Sequence, residues 1–201
     1  MRRQDLSLQH LNVDFYFSKL GGILFTSIES VTTTMAVNLY DSTVPIFIRS
    51  LTNLDAWLKK GEEWAKEKGT SVDDLCDARL IEDMRPLAFQ IQVASNTAKN
   101  TVVRVAGTTA VPMEDNETTM AQLHERIQRT LEVLKGVQRE EFEGKHDTTV
   151  HIKNSRVERD FTAVQYLQNF ALPNFFFHVT TAYAILRAKG VPLGKADYLG
   201  A

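Results

Sequence analysis

A single cysteine, five prolines and ten glycines in 201 residues exclude a disulfide-stapled or collagen-like chain. Cys76 has no intrachain partner, which favours a reducing, cytoplasmic setting. Apart from Gly21-Gly22 the glycines stand singly, no phosphate-cradling glycine loop is present, and GxSxG, CxxC and HExxH are absent. Neither sign of charge is in excess: 23 Lys and Arg oppose 25 Asp and Glu, a formal net charge of −2. The densest basic run, Lys59 to Lys68, alternates with Glu62, Glu63 and Glu67, so nucleic acid is not an expected partner. No apolar run approaches the roughly 20 residues of a membrane span, and no membrane partner is expected.

What is present describes an ordinary globular domain, with 43% hydrophobic and 24% charged residues. A chain of this length buries roughly 70% of its unfolded surface, enough for a core without disulfides or a structural metal. Residues 1–34 read differently from the rest. Arg2, Arg3 and the apolar patch Leu20 to Ile28 resemble a targeting segment, but Asp5 and Asp14 interrupt the basic region and the patch is short. We expect a poorly ordered N-terminal extension over 1–34 and the folded domain over 35–201, with Met35 a second possible start.

Helical periodicity dominates from Tyr40 onward. Val44, Phe47, Ile48, Leu51, Leu54, Leu58 and Ala65 recur at steps of three and four between Pro45 and Gly69, which predicts one long amphipathic helix. Ser71, Asp73 and Asp74 predict a short helical piece through Leu75 and Leu80. A second long helix is expected from an N-cap at Asp83 through Leu87, Ile91, Ala94, Ala98, Val102 and Val105 to Gly107. Met120, Leu123, Ile127, Thr130, Leu134 and Val137 trace a third. The period then changes: Thr149, His151 and Lys153 alternate with Val150 and Ile152, Asn154-Ser155 supplies a turn, and Val157 to Phe161 completes a β-hairpin. Thr162 and Gln165 form a capping box, and Pro173 opens a last helix that runs to Gly190 and is apolar nearly all round, hence buried. The fold class expected is all-α, a four-helix bundle with a small hairpin before the last helices.

Chemistry has few places to reside. His10 lies in the extension, His124 beside Glu125 and Arg126 reads as solvated, and His146 and His151 flank the hairpin with spacing unsuited to a metal. His178 differs, because the last helix is predicted to be interior, where an imidazole needs a hydrogen-bond partner. The second helix and its approach offer Gln90, Asp83 and Arg79. The aromatics Phe89, Tyr166, Phe170, Phe175, Phe176, Phe177 and Tyr183 surround it, a set that serves as core and also as the wall of a small-molecule cavity.

The segments Asp83-Met-Arg-Pro86, Gln90-Ile-Gln92, Ala98-Lys99, Glu114 to Thr119, Phe170 to Arg187 and Gly190 to Lys195 closely resemble the family numbered 1993 among domains of unknown function, over about residues 35–200. Tyr40 to Phe47 looks like that family's opening. The family is similar to the wider DinB/YfiT-like superfamily of four-helix bundles, which includes divalent-metal-dependent thiol transferases and isomerases, often dimeric. There, three imidazoles hold the metal: one from the second helix and an HxxxH pair from the last. Here His178 matches the first of the pair, Ala182 stands at its i+4 position, and the second helix carries glutamines. The resemblance therefore implies a DinB-like bundle without the usual metal ligands.

These readings converge on a small-molecule pocket with His178 as general acid or base and Arg79, Asp83, Gln90 and Tyr183 as ligand-binding residues, without metal or cofactor. A homodimeric interaction module with a merely structural His178 is the first alternative. A metal-dependent transferase is the second.

Overall fold

The computed structural model describes residues 38–153 and 158–201. The expected extension over 1–34, His10, Met35, Asn154-Ser155 and Val157 lie outside the described residues. Among them are four long helices: α1 Val44–Lys68, α2 Leu87–Ala106, α3 Met120–Lys135 and α5 Leu172–Lys189. A two-stranded antiparallel sheet, β1 Thr149–Lys153 and β2 Glu158–Thr162, pairs Thr149 with Thr162 and Lys153 with Glu158. It leads into the short helix α4 Ala163–Tyr166, and α6 Lys195–Leu199 follows α5. The protein is mostly helical. No helix of the described residues is long and apolar enough to cross a membrane.

The long helices share one core because each carries an apolar stripe at helical spacing. α2 packs on α5 and α3, and α1 packs on α3 and α5. Phe47, Leu54, Ile91, Val102, Leu123, Ile127, Phe175 and Ile185 are all fully buried there. Gly61 permits a close approach: a Cβ at that position would lie 3.3 Å from Leu75 Cδ1 and 3.4 Å from Leu186 Cδ2. The chain breaks where the sequence expects it, with Gly69, Gly107 and Gly190 each following a long helix at positive φ, a conformation side chains resist.

Three boundaries differ from expectation. The piece after Ser71 is only a 3₁₀ turn, Asp73–Leu75, and the chain beyond it bends back on the start of α2. Helix α2 starts at Leu87, and Pro86 rather than Asp83 takes the N-cap position. The residue before a proline is pushed out of helical geometry, so Arg85 cannot belong to the helix. The first free N–H groups of α2 are met by backbone: Leu87 N donates to Ala78 O at 2.9 Å and Ala88 N to Cys76 O at 3.1 Å. An Asp83 cap is therefore not needed.

Before α5 the helix does not start afresh at Pro173. Thr162 caps α4 in the predicted box with Gln165, and Leu167–Ala171 continue as a π-helical segment directly into α5. A proline inside a helix clashes with the carbonyl four residues back, and the wider π turn ahead of Pro173 gives that carbonyl room. Helix α5 is also not interior on every side, for Phe177 is 58% exposed.

Candidate functional site

His178 is 9% exposed and lies between the rings of Phe89 and Phe177, both edge-on with centroids 5.9 and 5.1 Å away. Its Nδ1 is 2.7 Å from Gln90 Oε1. Gln90, 2% exposed, donates from Nε2 to the Arg85 carbonyl at 2.9 Å. That bond fixes the amide: the carbonyl accepts only, so Nε2 faces it and Oε1 faces the imidazole. Oε1 can only accept, so Nδ1 carries the proton and Nε2 holds an unshared lone pair. The backbone turn that starts α2 thus sets the tautomer of a histidine on α5.

Burial pushes the His178 pKa down to about 4. With its pKa held there, the ring is neutral at physiological pH. In this tautomer the neutral imidazole has no proton at Nε2 to give as a general acid, and its Nδ1 proton is held by Gln90 Oε1. As a base it is weak, and its natural role is to accept a hydrogen bond at Nε2.

This ring is part of the wall of a groove of about 820 Å³, within the size range of small-molecule sites. Asp83, Arg85, Phe89 and Gln90 form one side, and Phe170, Asn174 and Phe177 the other. Asn174 precedes His178 by one helical turn, so both side chains leave the same face of α5. Its Nδ2 donates to Thr97 Oγ1 at 2.8 Å, which leaves Oδ1 as a second acceptor. The Arg85 guanidinium lies over the Phe89 ring, 4.6 Å from its centroid, and is the groove's one cation among the described residues.

His178, Gln90 and Asp83 are therefore brought together, but Arg79 and Tyr183 are not among the residues that line this groove. Arg79 is exposed and donates to the Met84 carbonyl, tying the loop before α2 to itself. Tyr183 lies on another face of α5, edge-on to Trp57 and Tyr198 with centroids 5.5 and 5.7 Å away. Arg85 and Asn174 are the polar groove residues absent from the residues expected from the sequence. Asn174 was findable from its i, i+4 relation to His178, whereas Arg85 depended on the unforeseen start of α2.

One other polar group departs from expectation, and a neighbour is buried with it. His124 is not solvated: its Nδ1 lies 2.5 Å from Oδ1 of buried Asp55, and Nε2 is buried, 3.6 Å from Glu62 Oε1. Burial alone would raise the Asp55 pKa, but hydrogen bonds from Lys59 and His124 outweigh it and lower the value. Arg126, two residues further on, is almost wholly buried and ion-paired to Asp115 and Glu117 at 2.7 Å each. His151 is exposed beside Asp160, and His146 is half-buried.

A metal does not fit this site. His178 offers one imidazole, Gln90 has its oxygen turned to Nδ1, and the i+4 position is the fully buried Ala182. Neutral amides are poor ligands for borderline metals. Among the described residues no three His, Cys, Asp or Glu side chains converge in a way that could hold one.

A crystal structure of a DinB family member protein from Shewanella denitrificans is 41% identical, with a TM-score of 0.74, and the alignment covers 81% of this chain and 92% of that one. No curated protein matches. The model of the family described as "Domain of unknown function (DUF1993)" matches residues 39–199, and the chain belongs to that family.

Proposed function

We propose that the chain is a DinB-like four-helix bundle that binds a small molecule, without a metal, in the groove between α2 and α5 beside His178. One observation carries the reading: a backbone carbonyl, Gln90 and His178 form a hydrogen-bonded relay that holds a buried, neutral imidazole with Nε2 unshared in a groove wall. A histidine serving only the core would be satisfied at both nitrogens or lie away from a groove. Asn174 Oδ1 and the Asp83 carboxylate add further acceptors, so the groove favours a ligand that donates hydrogen bonds.

Thermal-shift screening of full-length protein with small alcohols, amines and amides tests this. Hits should shift the long-range ¹⁵N resonance of His178 Nε2, persist after chelator treatment, and lose roughly tenfold in affinity in His178→Gln, the worth of about one hydrogen bond. Hits that bind His178→Gln as well as the native protein would overturn the proposal.

A further inference from the structure

A second concavity, of about 540 Å³, adjoins the His178 groove and shares Met84 and Phe177 with it as a common wall. Its remaining lining is mostly apolar: Leu80, Phe176 and Ala184, with Thr180 and Thr181. The surface here is apolar where helical proteins are normally polar, with Leu80 44%, Phe177 58% and nearby Ile81 61% exposed. Isolated exposed apolar residues need no explanation, but a contiguous group around a concavity marks a binding surface.

We infer that the ligand is amphipathic: its hydrogen-bond-donating head, an amine or hydroxyl, meets His178 Nε2 and Asn174 Oδ1, and its apolar tail crosses Phe177 into the cleft of Leu80, Phe176 and Ala184. This rests on the small-molecule reading of the His178 groove. The two concavities divide the chemistry between them. Polar groups, His178 with its tautomer set by Gln90 and the Asn174 amide beside Thr97, stand on one side of the Phe177 ridge, and hydrocarbon stands on the other. A purely polar ligand would leave the Leu80 cleft wet, and a purely apolar one would leave Nε2 and Oδ1 without donors. Only a molecule with both parts satisfies both concavities at once.

The test uses full-length protein and straight-chain alcohols and primary amines of four to ten carbons, below micelle-forming concentration. Calorimetry gives affinity, and the His178 Nε2 resonance reports the head. Affinity should rise about fourfold per added methylene until the cleft is filled. The Nε2 resonance should shift with every alcohol or amine and not with the matching methyl ethers, which lack the donor. Leu80→Asp and Ala184→Glu place charge in the tail's path on exposed or half-exposed positions where folding is unaffected. In each, the gain per methylene should fall below twofold while the Nε2 shift persists.

Nε2 shifts with no dependence on chain length, or a dependence unchanged in both variants, overturn the tail assignment and leave the groove reading intact. Absence of any Nε2 shift overturns the groove reading itself. Sedimentation that shows a dimer converted to monomer by Leu80→Asp would also overturn the tail assignment, since a second copy would then cover the cleft.

Discussion

Protonating His178 gives the sharpest check on the site. The folded chain holds this ring neutral down to a pKa of about 4, whereas an unfolded chain titrates it near 6.5. Between those values the unfolded state binds a proton that the folded state refuses, so stability falls as pH drops from 6.5 towards 4. Above 6.5 the full stability is present. Converting the difference in pKa at about 1.4 kcal/mol per unit gives a loss of up to about 3 kcal/mol across the window. That is a large share of the 5–15 kcal/mol typical of a domain. Nearby rings of Phe89 and Phe177 cannot compensate the charge, and the Gln90 oxygen is already committed to Nδ1.

Urea denaturation from pH 4.5 to 7.5 measures this when native protein is compared with His178→Gln. Carboxylates whose pKa values are lowered in the fold, such as Asp55 and Asp197, lose their contribution on acidification in both proteins and cancel in the difference. The native protein should lose stability relative to the variant by about 2–3 kcal/mol over the range. A difference flat to within about 0.5 kcal/mol would show that the ring is not desolvated, and the neutral-acceptor argument would fall with it.

Arg126→Met should destabilise the fold by about 3–5 kcal/mol in urea titrations, because nearly buried Glu117 would lose its counter-charge while Asn96 and Asp115 lose a donor. A loss below about 1 kcal/mol would mean that the linker before α3 is held by other contacts. Phe47→Ala removes a fully buried ring packed 4.6 Å from Phe175 and should cost about 3–5 kcal/mol in the same assay. Thr119→Ala deletes the cap that accepts from Gln122 N at the start of α3 and should cost about 1 kcal/mol, visible as a lowered thermal midpoint.

Periodicity made the long helices legible. The stripes of α1, α2 and α3 are read directly from steps of three and four, and Gly69, Gly107 and Gly190 mark the ends because positive φ is a local requirement. The hairpin strands and the Thr162 box are equally local. What was illegible depended on tertiary contacts. Arg126 and His124 look like solvent-facing residues because polarity predicts exposure, yet Arg126 is buried with Asp115 and Glu117 as partners and His124 lies against buried Asp55. The start of α2 is set by carbonyls of Cys76 and Ala78 that fold back upon it, which no residue spacing announces. The pairing of His178 with Gln90 was within reach, but Arg79 and Tyr183 lie on faces that only the packed helices decide.

The residues that depart from a three-imidazole site are bound up with the packing rather than merely absent. Ala182 is fully buried in the hydrophobic core, so an imidazole there would have to displace core atoms. Gln90 is bound into the fold: its two-ended amide joins a carbonyl before α2 to the His178 ring. A metal would need Nε2 of His178 together with two further good donors, and the groove offers one carboxylate, Asp83, beside an amide oxygen committed to Nδ1 and an asparagine tied to Thr97. The same desolvation that would suit a metal-bound imidazole, which must be neutral, here serves a hydrogen-bond acceptor. Gln90→Glu separates the two uses. A carboxylate at Nδ1 would stabilise the imidazolium and raise the His178 pKa from about 4, and a donor-headed ligand would then lose its acceptor as the pH falls through the new value.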